Sequence, residues 1–162
     1  MFPTDPKLPV TKGILFPATF RFWGLGIALA GVLLAVPRFS FGFKPDFLNV
    51  NVFAVYSRYM DTKVFEVIRN QLIEEISGIL VMVGLVIAAF SRMKTENDHV
   101  NALRLKSFII SVYLNAVFFT GGLLFTFGLG YMFVLILNSV SLLVLYLVVF
   151  SWLYHRNIKS ES

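Results

Sequence analysis

The sequence predicts an all-α integral membrane protein whose four transmembrane helices form an up-down bundle. Residues 107–154 form 48 consecutive positions without Asp, Glu, Lys, Arg or His. Crossing ~30 Å of hydrocarbon takes ~20 apolar residues in a helix, so this run is long enough for two crossings and a turn. The whole chain agrees, since 57% of its residues are hydrophobic and 14% are charged, against about 25% charged in soluble domains.

We expect a single membrane domain over residues 1–162, with spans at residues 20–36, 72–90, 107–129 and 131–154. Pro37 is expected to end the first span, because proline cannot donate a helix hydrogen bond. Gly128 and Gly130 mark the turn between the last two spans. The first stretch has a second interpretation as a cleavable leader. It is over-long for one and lacks the small-residue spacing of a cleavage site.

The distribution of Lys and Arg predicts the orientation of the four spans. Nine of the 14 basic residues fall on the face that holds both termini and the loop at residues 91–106, and five fall on the opposite face. Because cytoplasmic loops carry the excess of Lys and Arg, we expect both termini in the cytoplasm of a bacterium, with the chain in the inner membrane. The mixed charges and helix formers of that loop predict that the second and third spans project beyond the bilayer as helices.

The external segment at residues 38–71 is rich in aromatic residues and is predicted to be partly helical. Asn51 is expected to cap one short helix and Asp61 a second, with apolar residues on one side of each. We expect this segment to be ordered and packed on the outer end of the bundle, because its aromatic rings carry a large apolar area. It is either an amphipathic stretch at the membrane surface or a partner surface. The candidate partner residues are Phe53, Tyr56, Arg58 and Tyr59.

Several short strings resemble a group of small uncharacterised four-span bacterial inner-membrane proteins. They are Lys44-Pro45-Asp46-Phe47-Leu48, Val52-Phe53-Ala54-Val55-Tyr56-Ser57, Glu74-Glu75-Ile76, Ala88-Ala89-Phe90-Ser91, Lys94-Thr95-Glu96 and Leu103-Arg104-Leu105-Lys106-Ser107. The likeness covers roughly residues 44–107. It implies a bacterial membrane and carries no activity.

Polar residues inside the spans give one candidate intramembrane site, made of Glu74, Glu75, Thr120, Asn138 and Asn115. At ~1.5 Å of rise per residue, Glu75, Asn138 and Thr120 are expected to share one layer in the outer half, with Asn115 lower. Such residues mark ion or substrate paths in some proteins. More often Asn and Thr hold helices together. For the carboxylates the alternative is one group in water and the other bonded to Arg38, Arg58 or Arg69.

The remaining chemistry excludes several classes of site. The chain has no Cys, which removes disulfides and thiolate catalysis, and its two His lie far apart in the sequence. We therefore predict no catalytic, cofactor or metal residues. The net charge of +5 is explained by topology and lipid headgroups rather than by nucleic acid. The leading hypothesis is a non-enzymatic accessory, scaffold or signalling-partner subunit, bound to another membrane protein or to copies of itself. The alternative is an oligomeric transporter or channel component.

Overall fold

The computed structural model of the protein describes residues 15–42, 45, 48–58, 62–93 and 97–160. Four helices and two strands follow one another along the chain. They are α1 (Phe20–Phe41), β1 (Asn49–Arg58), β2 (Thr62–Gln71), α2 (Ile73–Ala89), α3 (Asp98–Phe125) and α4 (Leu129–Ser160).

Three of these helices, α1, α3 and α4, are long and apolar enough to cross a membrane. Most of their apolar side chains lie on the surface, as in Val117 and Leu124 of α3 and Val148 of α4. In a soluble protein such a surface would aggregate, whereas hydrocarbon tails solvate it. Three of the four predicted spans are therefore confirmed as helices of the length and apolar character that a membrane crossing needs.

The helix α1 runs through Pro37 to Phe41, so the prediction that Pro37 ends it is wrong. A proline removes one hydrogen bond of the ladder, a loss that membrane helices tolerate. The effective stop is Gly42, which has a φ of 64° and donates its N–H to Arg38 O at 3.1 Å. A left-handed residue directly after the last helical position is a common helix C-terminus, and glycine adopts it without strain.

The described residues of the external segment form a β-hairpin, so the two predicted short helices are wrong: residues from Asn51 lie in β1 and residues 62–68 in β2, while the predicted cap Asp61 lies outside the described residues. Strands β1 and β2 pair antiparallel, from Asn49 opposite Gln71 to Arg58 opposite Thr62. Both stretches are rich in β-branched and aromatic residues, which favour a pleated strand over a helix. Between the paired residues lies Phe65, whose φ of 55° is strained for a bulky side chain.

The helix α2 follows the hairpin directly, close to its predicted span at residues 72–90. Leu72 N–H bonds to Leu48 O at 3.0 Å and closes the base of the hairpin. The i to i−4 pattern extends past the helix bounds at both ends, from Ile76 N–H to Leu72 O and from Phe90 N–H to Val86 O.

Helix α3 begins at Asp98, inside the loop predicted for residues 91–106. Asn97 caps it, accepting a hydrogen bond from Val100 N–H at 2.9 Å, and thereby satisfies one of the donors that a helix start leaves open. Helix α3 ends at Phe125 and α4 starts at Leu129, with Gly128 at a φ of 64° between them. The predicted glycine turn is thus confirmed, although α4 begins slightly earlier and continues past residue 154 to Ser160.

The described part of the chain divides into two compact units. One comprises Met1–Gly26 with Gly84–Ser162, and the other comprises Ile27–Val83. In the first unit, α3 packs against α4 around a core of Ala89, Val100, Leu103, Tyr146, Phe150 and Leu153. Fully buried Ser107 and Ser111 of α3 bond back to the carbonyl oxygens of Leu103 and Ser107. Small, self-satisfied residues of this kind let neighbouring helices approach closely.

Candidate functional site

A polar cluster joins α3 to α4 in the apolar part of both helices. Asn115 Nδ2 donates to Asn138 Oδ1 at 3.2 Å, and Ser141 Oγ donates to Asn115 Oδ1. The Ser141 hydroxyl also lies 3.1 Å from Asn138 O. The three side chains therefore satisfy one another across the interface, which is how polar residues hold membrane helices together.

The expectation that Asn115 lies lower than Asn138 is wrong, because the two side chains are hydrogen-bonded to each other. Thr120 is exposed on the surface of α3. The error came from measuring depth from the predicted cytoplasmic ends of the two spans. Counted from the turn, Asn115 lies ten residues before the end of α3 and Asn138 nine after the start of α4, so they meet. The same count would have pointed to Ser141, one helical turn from Asn138.

The two carboxylates at the start of α2 are exposed and belong to the second unit. Glu74 Oε1 lies 2.5 Å from Arg38 Nη2 and accepts a hydrogen bond from Arg38 Nε at 2.8 Å. Glu75 Oε1 accepts one from Asn70 Nδ2 at 2.8 Å. Arg38 is thus the partner of Glu74 among the three arginines that the sequence offered. With 47% of the Glu74 side chain accessible, this pair is of the surface type that contributes little stability.

An apolar patch on the hairpin is the second candidate site. Phe53, Phe65 and Val67, which we call the hairpin patch, are 63%, 68% and 61% exposed. Phe53 and Val67 are cross-strand partners, and the rings of Phe53 and Phe65 are 6.3 Å apart. Of the predicted partner residues, only Phe53 has a described side chain. For Tyr56 and Arg58 the structure describes only the backbone, which lies in β1, and Tyr59 lies outside the described residues.

The external aromatic rings are expected to lie in the membrane interface, on spans two to four or on a partner, and the described rings are exposed on the chain itself. Phe39 and Phe41 are exposed at the end of α1, as Phe53 and Phe65 are in the hairpin. The segment is ordered into strands, but its rings are left for another surface to cover. Two members of the hairpin patch, Phe65 and Val67, were missed because the stretch was interpreted with a helical period instead of an alternating one.

A stack of two guanidinium groups on one ring is the third candidate site, and the sequence did not reveal it. The guanidinium carbons of Arg21 and Arg104 lie 5.7 Å and 5.2 Å from the ring centre of Phe150. Arg21 also donates to Ser151 Oγ at 3.1 Å and lies 2.6 Å from the Sδ of Met93, while Arg104 donates to Ser91 O at 3.1 Å. Two cations beside one aromatic face concentrate positive charge at this end of the first unit.

Backbone pairing and an aromatic stripe hold this site in place. Phe16 N–H bonds to Phe90 O at 2.9 Å and Arg92 N–H to Phe16 O at 2.8 Å, which brings the chain before α1 beside the chain after α2. On α4 the rings of Tyr146, Phe150 and Tyr154 stack at intervals of four residues. That spacing in the sequence was the available signal, since residues four apart share one helix face.

No protein-family model, curated protein or solved structure matches this chain.

The described charges and rings have the means to bind a ligand or a partner. Among the described residues, no group of three or more His, Cys, Asp or Glu is placed to hold a metal ion. What the structure presents is an interhelical polar cluster, an exposed hairpin patch and a basic, aromatic end of the first unit. The first is held by hydrogen bonds between α3 and α4, and the other two present exposed rings or charged groups to a ligand or partner.

Proposed function

We propose that this protein is a non-enzymatic accessory or scaffold subunit of a bacterial inner membrane, which acts by binding another membrane protein through its β-hairpin. In this proposal α2 is the fourth span, both termini are cytoplasmic and the hairpin lies on the external side. The observation that supports it is the hairpin patch of Phe53, Phe65 and Val67. Each of these three apolar side chains is more than half exposed.

An isolated two-stranded hairpin is marginally stable, because it buries little apolar area. Here the described sheet has two strands, so each keeps one edge with unpaired N–H and C=O groups. Full burial of an aromatic or branched side chain contributes about 1.5–3 kcal/mol. Covering the hairpin patch would therefore supply the apolar burial that such a hairpin lacks. A further strand paired to one of its edges would supply the missing hydrogen bonds.

Strand addition is the binding mode that fits this surface. An extended segment of the partner would pair with the open edge of β1 or β2 through main-chain hydrogen bonds, and its apolar residues would cover the patch. The partner is thus expected to present an extended, apolar external segment. A second copy of this chain would satisfy the same rule if two hairpins paired edge to edge.

The hydrogen bonds of the polar residues give less support to the alternative of a transporter or channel component. Its proposed polar residues do not converge, since Asn115 and Asn138 bond with Ser141 while Thr120 faces outward. The carboxylates of Glu74 and Glu75 are held at the surface by Arg38 and Asn70. A ligand site would need such groups turned towards a shared cavity.

Photo-crosslinking in cells tests the proposal directly. A photoreactive phenylalanine analogue replaces Phe53 in one strain and Phe127 in another. Phe127 is the matched control because it is 81% exposed, aromatic and predicted to lie on the same side of the membrane, in the turn before α4. We expect a defined protein adduct from position 53 and only lipid adducts from position 127.

The identity of the adduct separates the outcomes. A single membrane protein recovered from position 53 supports the accessory role, and an adduct at twice the mass of the chain assigns the patch to a homo-oligomer. Lipid adducts alone from both positions would overturn the proposal, because the patch would then lie in the membrane interface. The double variant Phe53→Ser with Phe65→Ser should abolish the protein adduct captured from a probe at Val67.

A further inference from the structure

The first unit contains a cleft of about 560 Å³ at the start of α1. It lies among the turn before α1, the chain after α2 and the last turns of the apolar part of α4. Six of its nine lining residues are Thr19, Arg21, Phe22, Arg92, Met93 and Ser151. This size is within the usual range of small-ligand sites in proteins.

The polar side of the cleft is suited to an anion. Arg21 and Arg92 contribute two guanidinium groups, and the nine described residues of the lining contain no Asp or Glu. Arg21 is oriented by its contacts with Met93 and Ser151. Arg104 adds a further positive charge nearby, because its guanidinium group contacts the same Phe150 ring as that of Arg21. Guanidinium groups with fixed orientation recognise phosphate oxygens through paired hydrogen bonds.

The apolar side of the cleft and its surroundings point to a lipid as the source of that anion. Phe22 and Met93 line the cleft beside the two arginines. Trp23 and Trp152, which are 68% and 58% exposed, flank it on α1 and α4. Exposed tryptophans of membrane helices lie at the headgroup level, and Tyr154 ends the uncharged run of the sequence there.

We propose that this cleft binds the phosphate of an anionic phospholipid headgroup, with Arg21 and Arg92 as its cationic partners and Phe22 and Met93 against the glycerol and upper acyl carbons. The proposal depends on the membrane placement of the chain and not on the hairpin partner. A basic cleft between helices on the cytoplasmic side is a recurrent form of lipid site, and phosphate is the group shared by the candidate ligands.

Spin-labelled lipids test this with the full chain reconstituted in phosphatidylcholine vesicles. We expect labelled phosphatidylglycerol to show a larger motionally restricted fraction than labelled phosphatidylcholine. Arg92→Gln should lower that preference about fivefold, as expected for one basic residue beside an anionic lipid. Arg156→Gln is the matched control, because its guanidinium lies over the Trp152 ring, 5.4 Å from the centre, and is not part of the lining.

A second variant guards against a loss of structure in the first. Thr19→Glu places a carboxylate in the cleft just before α1, a position where negative charge favours the helix, so the protein should stay folded and lose the preference. Equal restriction of the two lipids, or equal losses in Arg92→Gln and Arg156→Gln, would overturn the proposal. Displacement of labelled phosphatidylglycerol by inorganic phosphate at millimolar concentration would assign the cleft to free phosphate and overturn the lipid assignment. The double variant Phe53→Ser with Phe65→Ser should keep the preference for phosphatidylglycerol, which would separate this site from the partner surface on the hairpin.

Discussion

Gly24 lies where α1 comes closest to another helix in the first unit. A Cβ atom at this position would be 2.6 Å from Ala88 N and 2.7 Å from Gly84 O, which are backbone atoms that cannot turn aside. At Gly26, two residues along, a Cβ would meet nothing within 4 Å. In the second unit Gly31 repeats the close approach, with Ser77 O and Val81 N each 2.8 Å from a built Cβ. Backbone approach of this kind is characteristic of membrane helix pairs.

Two alanine substitutions should therefore have opposite signs. We expect Gly24→Ala to lower the free energy of unfolding by about 1–3 kcal/mol through overpacking. Gly26→Ala should raise it by about 0.5–1 kcal/mol, because alanine has lower backbone entropy to lose in a helix. Equilibrium unfolding in mixed micelles of a mild detergent and dodecyl sulfate measures both. A stabilising Gly24→Ala would contradict the close approach.

The bond between Asn115 and Asn138 leads to a second prediction at this scale. Asn138→Leu removes one partner of the cluster and should destabilise the protein by about 0.6–2 kcal/mol, the range of interhelical hydrogen bonds in membranes. Thr120→Val, at an exposed site of α3, should change the free energy of unfolding by less than about 0.5 kcal/mol. The same unfolding assay compares the two. A larger loss of unfolding free energy in Thr120→Val than in Asn138→Leu would show that Thr120 also makes a contact between helices.

Single residues were predictable where a local rule decides their conformation. Gly128 followed from the need for a left-handed residue in a tight turn. For the carboxylates at the start of α2, opposite charges near one boundary left three arginines open, and Arg38 is the one that bonds to Glu74. The stack of Arg21 and Arg104 on Phe150 was not predictable in the same way. It joins residues from three helices, and only their packing brings the guanidinium groups to one ring.

The hairpin shows how an element can be misassigned when its apolar residues fit two periods. Val52, Phe53, Val55 and Tyr56 fall on one side of a helix, whereas a strand places Val52 and Phe53 on opposite faces. The composition of β1 and β2, with their many Val, Ile and Phe residues, was the better guide. The membrane helices were predicted because an uncharged run of 48 residues is compatible with no other element.

Hydrogen exchange distinguishes the hairpin from a helix at the level of the element. In a two-stranded antiparallel ladder, each strand directs only every second N–H to its partner. We therefore expect alternating protection along Asn49–Arg58 and Thr62–Gln71 in a lipid nanodisc, measured with residue resolution by NMR. Helix α3 in the same sample is the internal control, with continuous protection in its central turns.

Partner binding should change that pattern in a defined way. Strand addition would protect the alternate amides of one edge that exchange rapidly in the isolated protein, and leave the other set unchanged. Continuous protection across residues 51–60 without a partner would restore the helical assignment. Uniformly rapid exchange in both strands would contradict the hairpin itself.

At the scale of the whole molecule, the number of crossings depends on α2. Its 17 residues give about 25 Å of helix, and the flanking bonds at Leu72 and Phe90 extend the helical path to about 28 Å. Spans of ~17–25 residues are long enough for the ~30 Å hydrocarbon core. A fourth crossing is thus compatible with the length of the element. It is also required if the hairpin and the turn at Gly128 lie on the same side.

The orientation is the last prediction and follows from charge alone. With nine basic residues on one face and five on the other, we expect both ends of the chain in the cytoplasm and the hairpin outside. Fusions of alkaline phosphatase and of green fluorescent protein at Ser162, near Lys44 and after Gly128 report the side of each site. Fluorescence is expected only at Ser162, and phosphatase activity only at the other two, because each reporter is active on one side of the inner membrane. If α2 does not cross, the reporters near Lys44 and after Gly128 will lie on opposite sides of the membrane. That result would contradict the four-span topology and would place the hairpin and the turn at Gly128 in different compartments.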